Sequence, residues 1–221
     1  AGSDALDVLI AVMPSSLTPE QMPLFIEYIQ AGHPTLVFDD PMPRFNPQLS
    51  PTEPKPSPQS MMGMPQEPPP MKADDGRLTS LMTVLQCAWE ADDFDAGNKF
   101  ILMDGFNPHP QLEMLPPAVV FITPQSGEAD AINQEQVTTR GLQEVLAWFP
   151  GNLRQRPGSD LEFTPLLRSS SQYSGLLDID DVIVSDPFFG RRIDENPDYD
   201  MGTTRHTLSN RARWEANGAR A

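Results

Sequence analysis

The order of apolar and polar residues near the start of the chain predicts a β-α-β unit. An unbroken apolar run at residues 8–13 is typical of a strand that helices bury on both faces. Thr18 and Gln21 have the spacing of a helix capping box, and apolar residues then recur at helical spacing until Gly32 ends the helix. A second apolar run follows at residues 35–38. Because β-α-β crossovers are right-handed, we expect the two strands to pair in parallel.

Later segments of the chain carry the same kind of signal. Apolar runs at residues 100–103 and 118–122 predict two more buried strands, and residues 78–89 have the spacing of an amphipathic helix. Residues 141–149 fit either a short helix or a strand, and the aromatic pair before a Pro-Gly turn favours a strand for the second half. These elements predict an α/β domain in which everything after the first unit extends or covers its sheet.

Composition divides the chain into one domain and two less regular segments. Residues 4–190 contain the apolar runs and are predicted to form a single α/β domain. Residues 41–73 are predicted to be an inserted Pro/Met-rich loop, since eleven of the 25 prolines fall at positions 41–70 and proline disfavours helix and sheet interiors. A proline-rich ligand for a partner is the alternative for this loop. Residues 191–221 are predicted to be a tail or linker, or a segment that docks elsewhere.

The charge of the chain narrows the choice of partners. It carries 31 acidic and 15 basic side chains, a net charge of −16, and residues 1–190 hold 26 of the acidic and nine of the basic ones. Such a surface repels phosphate groups, so nucleic acid and anionic lipid are not expected as ligands. No apolar run approaches the ~20 residues that span a bilayer. A link to a membrane is therefore expected only through flanking segments absent from this chain.

The sequence contains no familiar motif of catalysis or cofactor binding. The first strand is followed by Met-Pro-Ser-Ser-Leu rather than by the glycines of a dinucleotide site, and neither a Walker A motif nor a G-x-S-x-G elbow occurs. Three scattered histidines and a single cysteine give no metal-ligand spacing. Cys87 is predicted to be a buried structural thiol within the helix at 78–89. We therefore expect no catalytic residue, metal or cofactor, whereas an enzyme would need Cys87 on a tight turn beside a histidine.

Polar residues at the ends of the predicted strands are the remaining candidates for a binding site. Ligands of open parallel sheets bind outside the carboxyl ends of the strands. Those ends carry Ser15 and Ser16, Asp39 and Asp40, and Asp104. If the strands are parallel neighbours, these carboxylates could bind a divalent cation or a sugar hydroxyl. The alternative is that aspartate only favours the turns that follow strands.

Several short blocks, taken in order, resemble one protein family. The blocks read DVLIAVMPSSLTPEQMPLFIEYIQAGHPTLVFDDP, KFILMD, AVVFIT, VTTRGLQEVLAWFPGNL and FTPLLRSSSQYS. Within the first block, Gly32, Leu36, Val37 and residues 39–41 fill a G-x-x-x-L-V-x-x-D-P pattern with one extra aspartate. Together the blocks resemble the auxiliary component of an uncharacterised class of ABC transport systems, which includes the GldG-type gliding-motility proteins.

The resemblance implies a fold, a location and a set of partners. The implied fold is Rossmann-like or flavodoxin-like, with a mostly parallel sheet, helices on both faces and similarity to class I amidotransferase domains. The implied role is that of a non-enzymatic, extracytoplasmic domain of a membrane-anchored protein in the cell envelope, at the periplasmic face of the inner membrane. There it would work beside the ATPase and permease subunits of an ABC transporter, binding protein partners or an envelope or transported ligand such as a glycan. The alternative is an enzyme or carbohydrate-binding domain of amidotransferase-like ancestry that uses the strand-end carboxylates.

Overall fold

The computed structural model describes residues 7–46, 49–51, 53–55, 70–89, 100–186, 190–194, 197–202 and 204–214. In these ranges the chain forms mainly short strands, joined by turns and a few helices. In chain order the elements are β1 (Leu9–Val12), α1 (Gln21–Gln30), β2 (Thr35–Phe38), α2 (Thr79–Val84), β3 (Cys87–Ala88), β4 (Phe100–Asp104), β5 (Val119–Ile122), β6 (Val145–Trp148), β7 (Arg154–Gln155), β8 (Leu161–Arg168), β9 (Ser174–Asp178), α3 (Ile179–Val182), β10 (Ile183–Asp186), β11 (Gly190–Ile193) and β12 (Thr207–Trp214).

The predicted β-α-β unit is present at the start of the chain. β1 pairs in parallel with β2, so that Val12 lies opposite Phe38, and α1 connects the two strands. The capping signal operates in part, because Oε1 of Gln21 accepts a hydrogen bond from the Thr18 N–H at 3.0 Å. The prediction of this unit, and of the direction of its strands, is confirmed.

The predicted Rossmann-like or flavodoxin-like fold, with a mostly parallel sheet and helices on both faces, is wrong. Among the described strands, β1 and β2 form the one parallel pair. The other pairs are antiparallel: β5 with β6, β4 with β9, β3 with β7, β8 with β12 and β10 with β11. The similarity to class I amidotransferase domains that the resemblance implies is therefore not found either.

The fold prediction fails because an apolar run indicates burial but not the direction of the neighbouring strand. β4 and β5 are buried along nearly their whole length, as their apolar runs predict. Their partners are β9 and β6, which return in the opposite direction and are only half-buried at several positions. Such antiparallel pairs need no crossover helix between their strands, so the helices of a parallel sheet are not required.

The helix predicted over residues 78–89 is shorter in the structure. α2 covers only Thr79–Val84, and Gln86, with a left-handed backbone (φ 50°), separates it from β3. Cys87 consequently lies in β3, opposite Gln155 of β7, and not within a helix. The prediction that its thiol is buried is confirmed.

Buried apolar residues form three clusters. The first packs α1 and α2 against one face of the β1–β2 pair. The second surrounds one face of β4 and includes α3, and the third lies between the other face of β4 and the strands β5 and β6. β4 separates the last two clusters, because Ile101 and Met103 point into one and Leu102 points into the other. The β1–β2 pair therefore lies at the margin of the core, where helices cover it on one side.

In the described part of residues 190–214, two strands pair with earlier strands of the chain. β12 pairs with β8 over most of the length of both strands, and β11 pairs with β10. Nη1 of Arg205 lies 2.7 Å from Oδ1 of Asp130 and 3.6 Å from Oε2 of Glu128, which joins this segment to the connection between β5 and β6. The part of residues 191–221 that the structure describes thus contributes strands and ion pairs to the body of the chain.

About half of the predicted Pro/Met-rich loop at 41–73 lies outside the described residues, namely 47, 48, 52 and 56–69. In the described part, Nζ of Lys72 donates a hydrogen bond to the carbonyl oxygen of Ser50 at 2.6 Å. Oγ of Ser50 in turn donates to the carbonyl oxygen of Pro41 at 3.3 Å. The beginning and the end of this segment are therefore joined next to the end of β2.

Candidate functional site

One face of the β1–β2 pair is not covered by the part of the chain that the structure describes. Side chains alternate between the two faces of a strand, and Leu9, Ala11 and Val37 pack against the cluster formed with α1 and α2. The side chains of the opposite face are large, apolar and exposed. We call this set the open face: Val8 (53% exposed), Ile10 (61%), Val12 (68%), Leu36 (42%) and Phe38 (55%).

The open face is a continuous surface. In the parallel register Ile10 lies opposite Leu36 and Val12 lies opposite Phe38, and neighbouring strands are about 5 Å apart. A contiguous exposed apolar patch of this kind is a candidate for a surface that binds another molecule. The sequence carries the signal, because an unbroken apolar run such as 8–13 is typical of a strand covered on both faces. The prediction that helices bury both faces is wrong for this pair, since the described elements pack against only one face and the side chains of the other are exposed.

The carboxyl ends of β1 and β2 meet next to the open face. β1 is followed by Met13, whose left-handed backbone (φ 52°) begins a short 3-10 turn. Oδ2 of Asp39 accepts a hydrogen bond from the Ser15 N–H at 3.0 Å, and Oγ of Ser16 donates to the carbonyl oxygen of Met13 at 2.8 Å. The structure therefore brings Ser15, Ser16, Asp39 and Asp40 to one end of the pair, where parallel pairing is expected to place them.

Burial shifts the pKa of two groups at this end of the pair. It raises the pKa of Asp40 to about 6, although the hydrogen bond that its Oδ1 accepts from the Met42 N–H at 2.8 Å acts in the opposite direction, and the charge of Asp39 adds to the rise. Burial also lowers the pKa of Lys72, a shift that the charge of Asp39 opposes. Oγ of Ser15 is buried and has no hydrogen-bond partner in the described part of the chain.

Asp104 lies apart from the other predicted site residues. Pro41 directly follows β2 and packs on Gly151. A β-carbon added to Gly151 would lie 3.3 Å from Cγ of Pro41 and 3.8 Å from the carbonyl oxygen of Phe100, the first residue of β4. The end of β2 is therefore close to the start of β4. Asp104 is the last residue of β4, about 13 Å further along an extended strand.

The predicted site residues hold loops in place in this structure. Asp39 and Asp40 accept hydrogen bonds from nearby backbone N–H groups, and Asp104 accepts them from the N–H groups of Phe106 (2.9 Å) and Ser170 (2.8 Å). This is how aspartate stabilises turns. Within the described ranges, no group of three or more His, Cys, Asp or Glu residues could hold a metal ion. Binding of a cation, a glycan or a partner by these residues stays a prediction.

Cys87 lacks the surroundings of a catalytic nucleophile. Burial raises the pKa of its thiol to about 11, and a thiol that remains protonated is a poor nucleophile. Sγ donates a hydrogen bond to the carbonyl oxygen of Leu85 at 3.2 Å, and Nδ2 of Asn210 lies 3.9 Å from it. These partners from the described residues include no histidine that could act as a base.

Replacing Asp40 by asparagine is expected to change stability in a pH-dependent way. Because the folded pKa of about 6 lies above the ordinary value of 3.8, folding favours the protonated form, and its contribution is lost as the pH rises through 6. Asparagine keeps the acceptor for the Met42 N–H without the charge. Since the side chain is partly exposed, we expect Asp40→Asn to stabilise the chain by about 1 kcal/mol at pH 8 and by nearly nothing at pH 4. Urea unfolding at pH 4 and pH 8 measures the change in the free energy of unfolding. An equal increase at both pH values would show that titration of Asp40 is not the cause of the stabilisation.

Comparison with known proteins identifies a family. A family model described as an ABC-type uncharacterized transport system matches residues 2–209. No curated protein and no solved structure matches the chain. None of the helices in the described ranges has both the length and the apolarity needed to cross a membrane. The match confirms the resemblance seen in the sequence blocks, although its description does not mention gliding. The chain belongs to this family of auxiliary components of ABC-type transport systems.

Proposed function

We propose that this auxiliary component works without catalysis, by binding another protein of its ABC-type transport system through the open face. The observation that carries the proposal is a sheet face of five large apolar side chains that the described residues of the chain leave exposed. The candidate chemistry supports a binding role, since the thiol of Cys87 is buried with a raised pKa and the strand-end carboxylates accept hydrogen bonds from loop backbone.

The open face can contribute a substantial part of the free energy of binding of a complex. Full burial of a Val, Leu, Ile or Phe side chain contributes roughly 1.5–3 kcal/mol. The side chains of the open face are each about half exposed, so covering them contributes on the order of 5 kcal/mol before the entropy of association is subtracted. This contribution is of the same order as the lower estimates of that entropic cost, so contacts outside the open face must supply the rest of the free energy of binding.

The partners in this proposal are the ATPase and permease subunits of the same transport system. Membership of the family supports association with other components of an ABC-type transport system. An extracytoplasmic position at the periplasmic face of the inner membrane, attachment through flanking segments, and a gliding-type role are parts of the proposal that rest on the family resemblance.

The test is a matched pair of valine-to-aspartate substitutions. Val12 lies on the open face, and Val137 is an equally large apolar side chain, 83% exposed, in the connection between β5 and β6. Each variant is co-expressed with the ATPase and permease subunits, and their recovery with the tagged chain is measured from solubilised membranes. We expect Val12→Asp to reduce the recovery of these subunits at least tenfold, because a buried carboxylate without a partner opposes the complex.

Val137→Asp serves as the control and is expected to leave recovery unchanged. Both positions are exposed in the free chain, so both variants should keep the melting temperature of the wild type within a few degrees. Equal recovery with the two folded variants would contradict the role of the open face.

A further inference from the structure

We propose that the partner docks by β-strand addition, in which an extended segment of another subunit pairs with the outer edge of β1. This inference rests on the proposed function, because it specifies how the partner uses the open face. The partner segment would carry apolar side chains at alternate positions and basic side chains at both ends. Three observations support this mode of docking: the orientation of the backbone groups of β1, the composition of its outer edge and the charges around it.

The backbone of β1 offers hydrogen-bonding groups on the side away from β2. The Leu9 N–H donates to the carbonyl oxygen of Pro34 at 3.0 Å, and the Met13 N–H donates to that of Phe38 at 2.7 Å. Alternate residues of a strand direct their N–H and C=O groups to the same side. Leu9, Ala11 and Met13 therefore face β2, whereas Ile10 and Val12 direct both groups to the outer edge.

In the described part of the chain, β1 pairs with β2 alone, so the outer edge of β1 has no partner strand there. Natural edge strands are usually protected from added strands by proline, by charged side chains or by bulges. β1 reads Leu-Ile-Ala-Val and has none of these features. By contrast, β2 lies between Pro34 and the sequence Asp39-Asp40-Pro41, which makes its edge less suited to an added strand.

Ile10 and Val12 belong to both the outer edge of β1 and the open face. Ile10 and Val12 are the most exposed members of the open face, and their backbone groups form the outer edge. A strand added here would form main-chain hydrogen bonds with β1 and extend the apolar surface of the sheet by one strand. This is the general mode in which extended peptides are recognised, with backbone bonds for affinity and alternate side chains for specificity.

Charges at the two ends of the β1–β2 pair select a basic segment. Asp7 is exposed and precedes β1, and the half-buried Asp39 and Asp40 follow β2 at the other end, where the charge of Lys72 interacts with Asp39. The whole chain has a net charge of −16. A partner strand with Lys or Arg at both ends would match these positions. A second copy of the chain fits poorly, because antiparallel pairing of two β1 strands would bring Asp7 of each copy towards the acidic end of the other.

The test compares Ile10→Pro with Ile10→Ala. Both variants remove the isoleucine side chain from the open face, but proline also removes the outward N–H. Neither change breaks the bonds to β2, since these come from the neighbouring residues. Binding to the purified ATPase–permease complex in detergent is measured for both, and we expect Ile10→Pro to bind at least tenfold more weakly than Ile10→Ala.

A second measurement uses the wild-type chain and so does not depend on the folding of a variant. Amide hydrogen exchange is followed residue by residue for the free chain and for the chain bound to the same complex. We expect the amides of Leu9, Ala11 and Met13 to be protected in both states, and those of Ile10 and Val12 to become protected only on binding.

The outcomes separate this inference from the proposed function. If Val12→Asp weakens binding while Ile10→Pro equals Ile10→Ala and the amides of Ile10 and Val12 exchange equally fast in both states, strand addition is overturned and docking on the open face stands. If Val12→Asp has no effect, the proposed function itself fails. If the amides of Ile10 and Val12 are already protected in the free protein, and the free protein has the mass of a dimer, then a second copy of the chain occupies the outer edge of β1. That result would overturn the inference.

Discussion

Gly175→Ala is expected to destabilise the chain by about 3 kcal/mol, one of the two largest effects of a single substitution that we predict. Gly175 lies in β9 opposite Met103. A β-carbon there would overlap the carbonyl oxygen of Asp200 and lie 3.0 Å from Cδ2 of Tyr199. Because backbone atoms of Asp200 cannot rotate away, the segment around residues 199–200 would have to move off the strand.

Gly202→Ala is the matched control for this substitution. A β-carbon at Gly202 would meet its nearest neighbours, the carbonyl oxygen of Ser174 and the amide nitrogen of Thr204, at 3.7 Å, which is ordinary van der Waals contact. Urea unfolding curves are expected to give a change below about 1 kcal/mol for this variant. Similar curves for the two variants would contradict the packing of residues 197–202 against β9.

Asp104→Ala is expected to reduce stability by a similar amount, about 3 kcal/mol. The carboxylate is 1% exposed and accepts hydrogen bonds from the Phe106 N–H, the Ser170 N–H and, at 3.0 Å, the Ser170 Oγ. Alanine would leave these donors without an acceptor in a buried place, and an unsatisfied buried group costs about 1–3 kcal/mol.

Asp130→Ala provides the comparison for Asp104. Asp130 is largely exposed and forms ion pairs with Arg168 (3.0 Å) and Arg205 (2.7 Å). Exposed ion pairs contribute little, so we expect a loss below about 1 kcal/mol by thermal or urea unfolding. If Asp104→Ala cost no more than Asp130→Ala, the buried network around Asp104 would not have the role assigned to it.

Local signals in the sequence predict the parts of the fold that neighbouring residues determine. The β-α-β unit follows from two apolar runs, a capping box and a short return, all within about 30 residues. The strand at Val145–Trp148 follows from aromatic residues before a Pro-Gly turn. In both cases the sequence contains the element and the signals that end it.

Long-range pairing is the part that the sequence pattern does not predict. The runs that form β4 and β5 show that these strands are buried, but antiparallel partners come from distant segments with weaker patterns. β12 is the clearest case, because its sequence TLSNRARW has little apolar periodicity, and pairing with β8 determines its conformation. Residues 191–221 therefore read as a tail or linker in the sequence.

The need to know which strands pair also explains why only some of the predicted site residues come together. Ser15, Ser16, Asp39 and Asp40 come together because β1 and β2 are parallel neighbours. Asp104 does not join them, because the first residue of β4, and not its last, is the one near the end of β2. For another reason, the sequence does not predict the open face. The apolar composition of β1 and β2 indicates that both faces of the pair are suited to burial, but it does not indicate whether the covering element belongs to this chain or to another.

The most direct test of the open face as a docking site is the equilibrium affinity of the purified ATPase–permease complex for the wild-type chain, Val12→Asp and Val137→Asp, measured side by side under the same conditions. Docking on the open face predicts that Val12→Asp raises the dissociation constant at least tenfold while Val137→Asp leaves it within twofold of the wild type. Equal dissociation constants for the three folded proteins would contradict it.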